Sequence, residues 1–132
     1  MDPKKVVREF WASYGRGNLD ETWEAYVADD IVIRSSAGHE LDRETWLADE
    51  KALWAAFEDI DVKVRDQVSE GDMVASRWAL SGRQTSDFMG VPSRGETATL
   101  TGILFDRIRE DKITEHWAEV GLSQFLQVLS AA

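Results

Sequence analysis

Two hydrophobic periods divide the chain. Up to residue 57 apolar side chains recur at helical spacing. Val6, Val7, Phe10, Trp11 and Tyr14 form one inward stripe behind Asp2-Pro3, a helix cap followed by proline at the first helical position. Gly15 and Gly17 end that helix. Asn18, with Glu21 three residues on, opens a second helix that turns Leu19, Trp23, Tyr26 and Val27 inward. Ile31 to Arg34 is a short strand, and Ser35 to Gly38 a turn. Asp42 caps a third helix whose buried face is Trp46, Leu47, Leu53, Trp54 and Phe57.

Beyond that point the period falls to two. Ile60, Val62, Val64 and Val68 alternate with Asp61, Lys63, Arg65 and Gln67. Gly71-Asp72 turns into a strand from Met73 to Ser81. Residues 82 to 96 read as a mobile loop, and Phe88 and Met89 within it are expected to fold over a cavity mouth. Residues 98 to 120 form a hairpin around Arg109-Glu110-Asp111. Its second strand puts Ile113, Glu115, Trp117 and Glu119 on one face, and Thr114, His116, Ala118 and Val120 on the other. Leu122, Phe125, Leu126 and Leu129 close the chain as a helix. Three helices, a four-stranded antiparallel meander and a terminal helix make an α+β domain. The last strands are apolar on both faces, so one face is expected to meet the helices and the other a second copy. The sequence thus points to a homodimer, with His116, Ala118 and Val120 near the contact.

At 132 residues the chain is read as a single domain, 1–132. Its net charge of -10 opposes binding to phosphate backbones, so no nucleic acid is expected. It has no cysteine, which fits a reducing cytoplasm. No apolar run is long enough for a membrane span, and no leader is apparent. Six tryptophans supply apolar bulk for a core or for an aromatic-lined pocket.

Tyr14 to Tyr26, Ala28 to Val32, Glu70 to Trp78, Phe88 to Pro92 with Gly95, Thr101 to Ile108 and Lys112 to Trp117 carry a resemblance. In that order they resemble the SnoaL-like polyketide cyclases, of the ketosteroid-isomerase-like or nuclear transport factor 2-like superfamily. The resemblance implies a cone-shaped curved antiparallel sheet packed against N-terminal helices. It also implies a cofactor-independent enzyme. Such an enzyme would use acid/base chemistry (cyclisation, isomerisation, dehydration or epoxide opening) on a hydrophobic polyketide- or terpenoid-like small molecule. Family cyclases end the last strand W-x-x-x-D, with that aspartate as acid/base. Here the position is Gly121, which cannot carry a proton. A non-catalytic ligand-binding or dimerisation domain is the alternative.

The candidate proton carriers are then Glu119 and Glu115, beside Trp117 on the strand leading to that position. A carboxyl against an indole loses water, and its neutral form gains. The competing readings are a solvated Glu119 at a strand end, and a Glu115 ion-paired with Arg107 or Arg77. Arg107 either holds an enolate inside a pocket or is a surface charge. Trp117, Phe105, Ile103, Trp54, Phe88 and Met89 are the candidate substrate-binding residues. Two histidines without a ligand spacing give no metal site, and no nucleotide-binding motif appears, so no cofactor is expected.

Overall fold

The structure is a computed structural model that describes residues 2–35 and 38–131. The expected turn at 35–38 runs through Ser36 and Ala37, which lie outside the described residues. Helices α1 (Pro3–Tyr14) and α2 (Leu19–Tyr26) lead into strand β1 (Val27–Ser35) and the two-residue β2 (Glu40–Leu41). Helix α3 (Arg43–Ala56) follows, then β3 (Phe57–Glu70), β4 (Met73–Gln84), β5 (Thr97–Arg109), β6 (Lys112–Val120) and helix α4 (Leu122–Ser130). The Asp2 carboxylate accepts from the Lys4 N–H and that of Asp42 from the Thr45 N–H, as caps should. Asn18 makes no side-chain cap bond. Instead Thr22 reaches back to its carbonyl. None of the described helices is long and apolar enough to cross a membrane.

The strands form one sheet in the order β2-β1-β6-β5-β4-β3. The meander is antiparallel, while β1 joins β6 in parallel and makes the sheet mixed. The helices cover one face, here called inner, and the core lies between. Even positions of β4 and β5 point inward: Val74, Trp78 and Leu80, then Leu100, Leu104 and Ile108, all buried. Phe10 and Tyr14 of α1, Trp23 of α2, and Trp46 and Leu53 of α3 meet them.

Three local features adjust the expected pattern. A bulge between Val64 and Asp66 shifts the alternation of β3, because one extra residue flips every later side chain. Val62 and Val64 pack inward, but Val68 points outward and is 69% exposed. The connection from β4 to β5 is anchored. The Gln84 amide, fully buried, donates to the carbonyls of Ser86 and Val91, and Ser93 bonds the Gln84 carbonyl. Within it, Phe88 and Val91 bond each other's backbone around Met89 and Gly90, both at positive φ. Finally, Gly102 lets β6 approach β5 very closely: a Cβ there would lie 2.4 Å from the Glu119 carbonyl oxygen.

Candidate active site

The two central strands carry the site. In β5 every second residue from Ala98 to Ile108 points inward, and Asp106 occupies one of those positions. Its cross-strand partner in β6 is His116, so the two side chains meet on the inner face. His116 Nδ1 lies 2.6 Å from Asp106 Oδ1, and the residues are 3% and 1% exposed. A proton on Nδ1, shared with this carboxylate, leaves Nε2 as the accepting nitrogen of the ring. The second carboxylate oxygen, Oδ2, is buried and has no hydrogen-bond partner.

Helix α3 lies over this dyad. Trp46 stacks on the His116 imidazole at 4.6 Å between centroids and 22° between planes. Trp23 and Phe10 pack behind Trp46, at 4.7 and 5.7 Å. Glu50 is one helical turn beyond Trp46 and shares its face, as residues four apart do. Its carboxylate accepts the Tyr14 hydroxyl at 2.7 Å. Trp54, a further turn along, sets its ring edge-on to Tyr14 at 5.8 Å.

Burial separates the titration behaviour of these groups. Glu50 keeps some exposed surface as a residue, yet desolvation of its carboxyl raises its pKa above the ordinary value. The bond from Tyr14 and the nearby His116 imidazole pull the other way without cancelling it. Burial, and then the Glu50 charge, push the Tyr14 hydroxyl well above its usual range. Tyr14 is therefore a neutral donor at physiological pH. Burial shifts the Glu50 carboxyl in the direction of its protonated form. An imidazole base backed by a carboxylate, and a second carboxyl biased towards its acid form, stand in one aromatic interior.

Most of the residues expected to form the site lie elsewhere. Glu115, Trp117 and Glu119 of β6 and Ile103, Phe105 and Arg107 of β5 do share one face, and all but Glu115 line a common depression. That face is the outer one, away from the helices. The expected face assignment is reversed: His116, Ala118 and Val120 point inward, and His116 is core rather than interface. Glu119 is exposed. Glu115 is bonded to Arg107 Nε at 2.7 Å and to Arg34 Nη1 at 2.9 Å, the ion-pair reading of that residue. Phe88 packs against Phe57 at 5.2 Å and Phe125 at 6.4 Å, closing the end of the core. Met89 is 60% exposed. Trp54 alone of the six expected binding residues borders the inner cluster.

Asp106 and Glu50 escaped the sequence reading, which placed Tyr14 in the core and His116 at an interface rather than in the site. One signal was available: Asp106 interrupts the otherwise apolar series Leu100, Leu104, Ile108. Glu50 shares the helical spacing of Trp46 and Trp54.

Residues 4–129 match the family model of the SnoaL-like polyketide cyclases. The chain belongs to that family. Among solved structures it is similar to wild-type IdmH of Streptomyces antibioticus, a candidate polyketide cyclase, with 30% identity and a TM-score of 0.87. That match covers 98% of this chain and 99% of IdmH. AclR of Streptomyces galilaeus, a candidate hydroxylase, gives 24% identity and 0.86 over 96% of this chain and 93% of its own. A SnoaL-like protein of Jannaschia sp. CCS1 gives 22% and 0.83 over 98% and 91%. The last two comparisons speak for the fold alone. No curated protein sequence matches the chain.

Proposed function

We propose that this SnoaL-like protein is a cofactor-independent acid/base enzyme acting on a hydrophobic, oxygenated small molecule of polyketide or terpenoid type. The observation that carries the reading is the buried Asp106–His116 contact beneath Trp46. His116 Nε2 would take a proton from a carbon beside a carbonyl, and Asp106 would pair with the imidazolium that forms. Glu50, its pKa raised by burial, would donate a hydrogen bond to the enolate and return a proton when protonated, while the Tyr14 hydroxyl donates to the Glu50 carboxyl and holds it in place. Membership of the cyclase family supports cyclisation or isomerisation over hydrolysis.

A generic proton-abstraction probe tests this without the natural substrate. In 5-nitrobenzisoxazole, removal of the ring C–H breaks the N–O bond and releases a coloured phenolate. The protein should open it with saturation kinetics, and His116→Gln should lower the rate ~10²–10⁴-fold. Glu119→Gln, on the outer face, should leave the rate unchanged. Equal rates in wild type and His116→Gln would defeat the proposal. Gly121, at the family's aspartate position, favours the second reading of a binding domain. That reading calls for quenching of tryptophan fluorescence by an aromatic polyketide-like probe with no turnover of any such compound.

A further inference from the structure

Trp54 is half-buried as a residue, yet its indole Nε1 is fully buried and has no partner at hydrogen-bond distance. A donor left bare in this way is costly, so what lies against it matters. The ring is held on two sides. Tyr14 meets it edge-on at 5.8 Å. On the other side is Gly17, where a Cβ would come within 3.3 Å of Trp54 Cζ3. The turn that ends α1 allows this approach: the Gly17 N–H bonds the Tyr14 carbonyl at 2.9 Å, and Gly17 itself has φ +84. The short segment 14–17 therefore seats the Trp54 ring and supplies the hydroxyl beside it.

That hydroxyl has one proton, which goes to Glu50 at 2.7 Å. Its oxygen is left with lone pairs only, and an indole N–H can only donate. Burial and Glu50 push the Tyr14 hydroxyl upward in pKa, and the Trp54 indole acts on it the other way, as a donor to the oxygen does.

We propose that Trp54 is a positioning residue: its indole N–H, directed at the Tyr14 oxygen, turns the hydroxyl proton towards Glu50 and strengthens that bond. Hydrogen bonds in series polarise one another. A stronger bond from Tyr14 favours the Glu50 carboxylate and lowers the pH at which Glu50 gives up its proton. Trp54 thus tunes the acid of the site without bonding either carboxyl itself. The other groups around Glu50 act by separate routes. His116 of β6 acts downward and Asp49, on the same helix, upward. Asp106 of β5 is bonded to His116. Asp20 and Glu24 of α2 pair at the surface with Lys51 and Arg43 of α3.

The inference rests on the reading of Glu50 as the acid of the site, but its test needs no turnover. Carbon NMR on protein isotopically labelled at the glutamate carboxyls follows the Glu50 titration, and Glu50→Gln identifies the signal. Trp54→Phe keeps an aromatic ring between Gly17 and Tyr14 and removes the N–H. Its Glu50 midpoint should lie above that of the wild type. Tyr14→Phe should raise the midpoint further, and adding Trp54→Phe to it should change nothing more, because the indole acts through the hydroxyl. An unchanged midpoint in Trp54→Phe, or an equal shift with and without the Tyr14 hydroxyl, would overturn the proposal. If a variant does not fold, the wild type decides alone. Its Trp54 indole N–H resonance should move in step with the Glu50 signal, and a resonance indifferent to that titration would sink the idea. With 5-nitrobenzisoxazole, the limb of the pH–rate profile that Glu50 controls should follow the NMR midpoint in Trp54→Phe. The NMR shifts in a protein that never opens the probe would uphold the role of Trp54 and remove the acid/base reading instead.

Discussion

Arg107 and Glu115 face each other across β5 and β6 at 2.7 Å, one residue along from Asp106 and His116 and on the opposite side of the same two strands. The strand pair therefore shows an ionic lattice to the outside and the buried dyad to the inside. Asp72 extends the lattice to Arg109 at 3.3 Å, and Arg34 links it to Glu40 at 3.2 Å.

The lattice should make stability fall in acid. Bonds from Arg107 and then Arg34 hold the Glu115 carboxyl below its ordinary pKa. For Asp72 partial burial acts upward, but Arg109 and Arg107 outweigh it, and its pKa is also lowered. A carboxyl that is more acidic when folded stabilises above its unfolded pKa, and the contribution is lost as pH falls through the folded value. Glu115→Gln should cost less than about 1 kcal/mol at neutral pH, given the screening of such pairs. Its melting curve should converge with wild type at acid pH. A gap that widens in acid would contradict the assignment.

Glu50 should show the reverse trend. Its pKa is raised, first by desolvation. Its contribution is therefore present below the unfolded value and lost as pH rises through the folded one. Glu50→Gln keeps an acceptor for Tyr14 and removes the ionisation. It should melt higher than wild type at and above neutral pH, with the gain vanishing in acid. In the proton-abstraction assay it should flatten the pH–rate profile on the limb that Glu50 controls. A variant less stable than wild type at neutral pH would mean that the ionised carboxylate is favoured in the fold.

Element order and type were legible in the sequence because they follow from local features: the caps at Asp2 and Asp42, the helical stripes, and the period-two runs. The orientation of the sheet was not. In β5 both alternating sets are apolar, Leu100 and Leu104 against Ile103 and Phe105, so alternation alone cannot say which set faces the helices. Trp117 suggested the wrong face because tryptophan usually marks a core. Here it lies half-buried beneath Arg34, a partner from the distant strand β1. That parallel pairing of β1 with β6, like the bulge that turns Val68 out, depends on contacts between remote segments. The Tyr14–Glu50 bond likewise joins two helices whose packing no local window contains.

Gly102→Ala tests the closest approach in the sheet. The added methyl would meet Glu119 O at 2.4 Å, Val120 Cγ1 at 2.6 Å and Val120 Cα at 2.8 Å. Two of those atoms belong to backbone and cannot swing aside. β6 would have to move away from β5, next to the entry into α4. Overpacking of this kind costs about 1–3 kcal/mol, and urea denaturation should show at least that loss. Unchanged stability would mean that the strands separate here at little cost.

Gly121→Asp is the opposite case, and it addresses the residue at which the family resemblance implies an aspartate. Gly121 has φ -80 and ψ 57, outside the left-handed region, so an L side chain is not strained there. A Cβ would come within 3.2 Å of Gln124 Oε1, the free end of a flexible side chain, and no nearer than 3.8 Å to the Thr101 carbonyl. The Gly121 N–H bond to Thr101 O, 2.9 Å, does not involve the side chain and should persist. Gly121 is also the N-cap of α4 and offers no capping side chain. An aspartate there can accept from the first-turn N–H groups and meets the positive end of the helix dipole. The gain over glycine at a cap is only a few tenths of a kcal/mol. Gly121→Asp should therefore fold with a Tm equal to or slightly above that of wild type. A large fall in Tm would show that the glycine is there for backbone geometry. If the variant is stable, and the wild type already turns over 5-nitrobenzisoxazole at the variant's rate in a manner that depends on His116, the Asp106–His116 dyad operates without an aspartate at position 121. If instead turnover appears only in Gly121→Asp, the wild-type protein is the binding domain of the second reading.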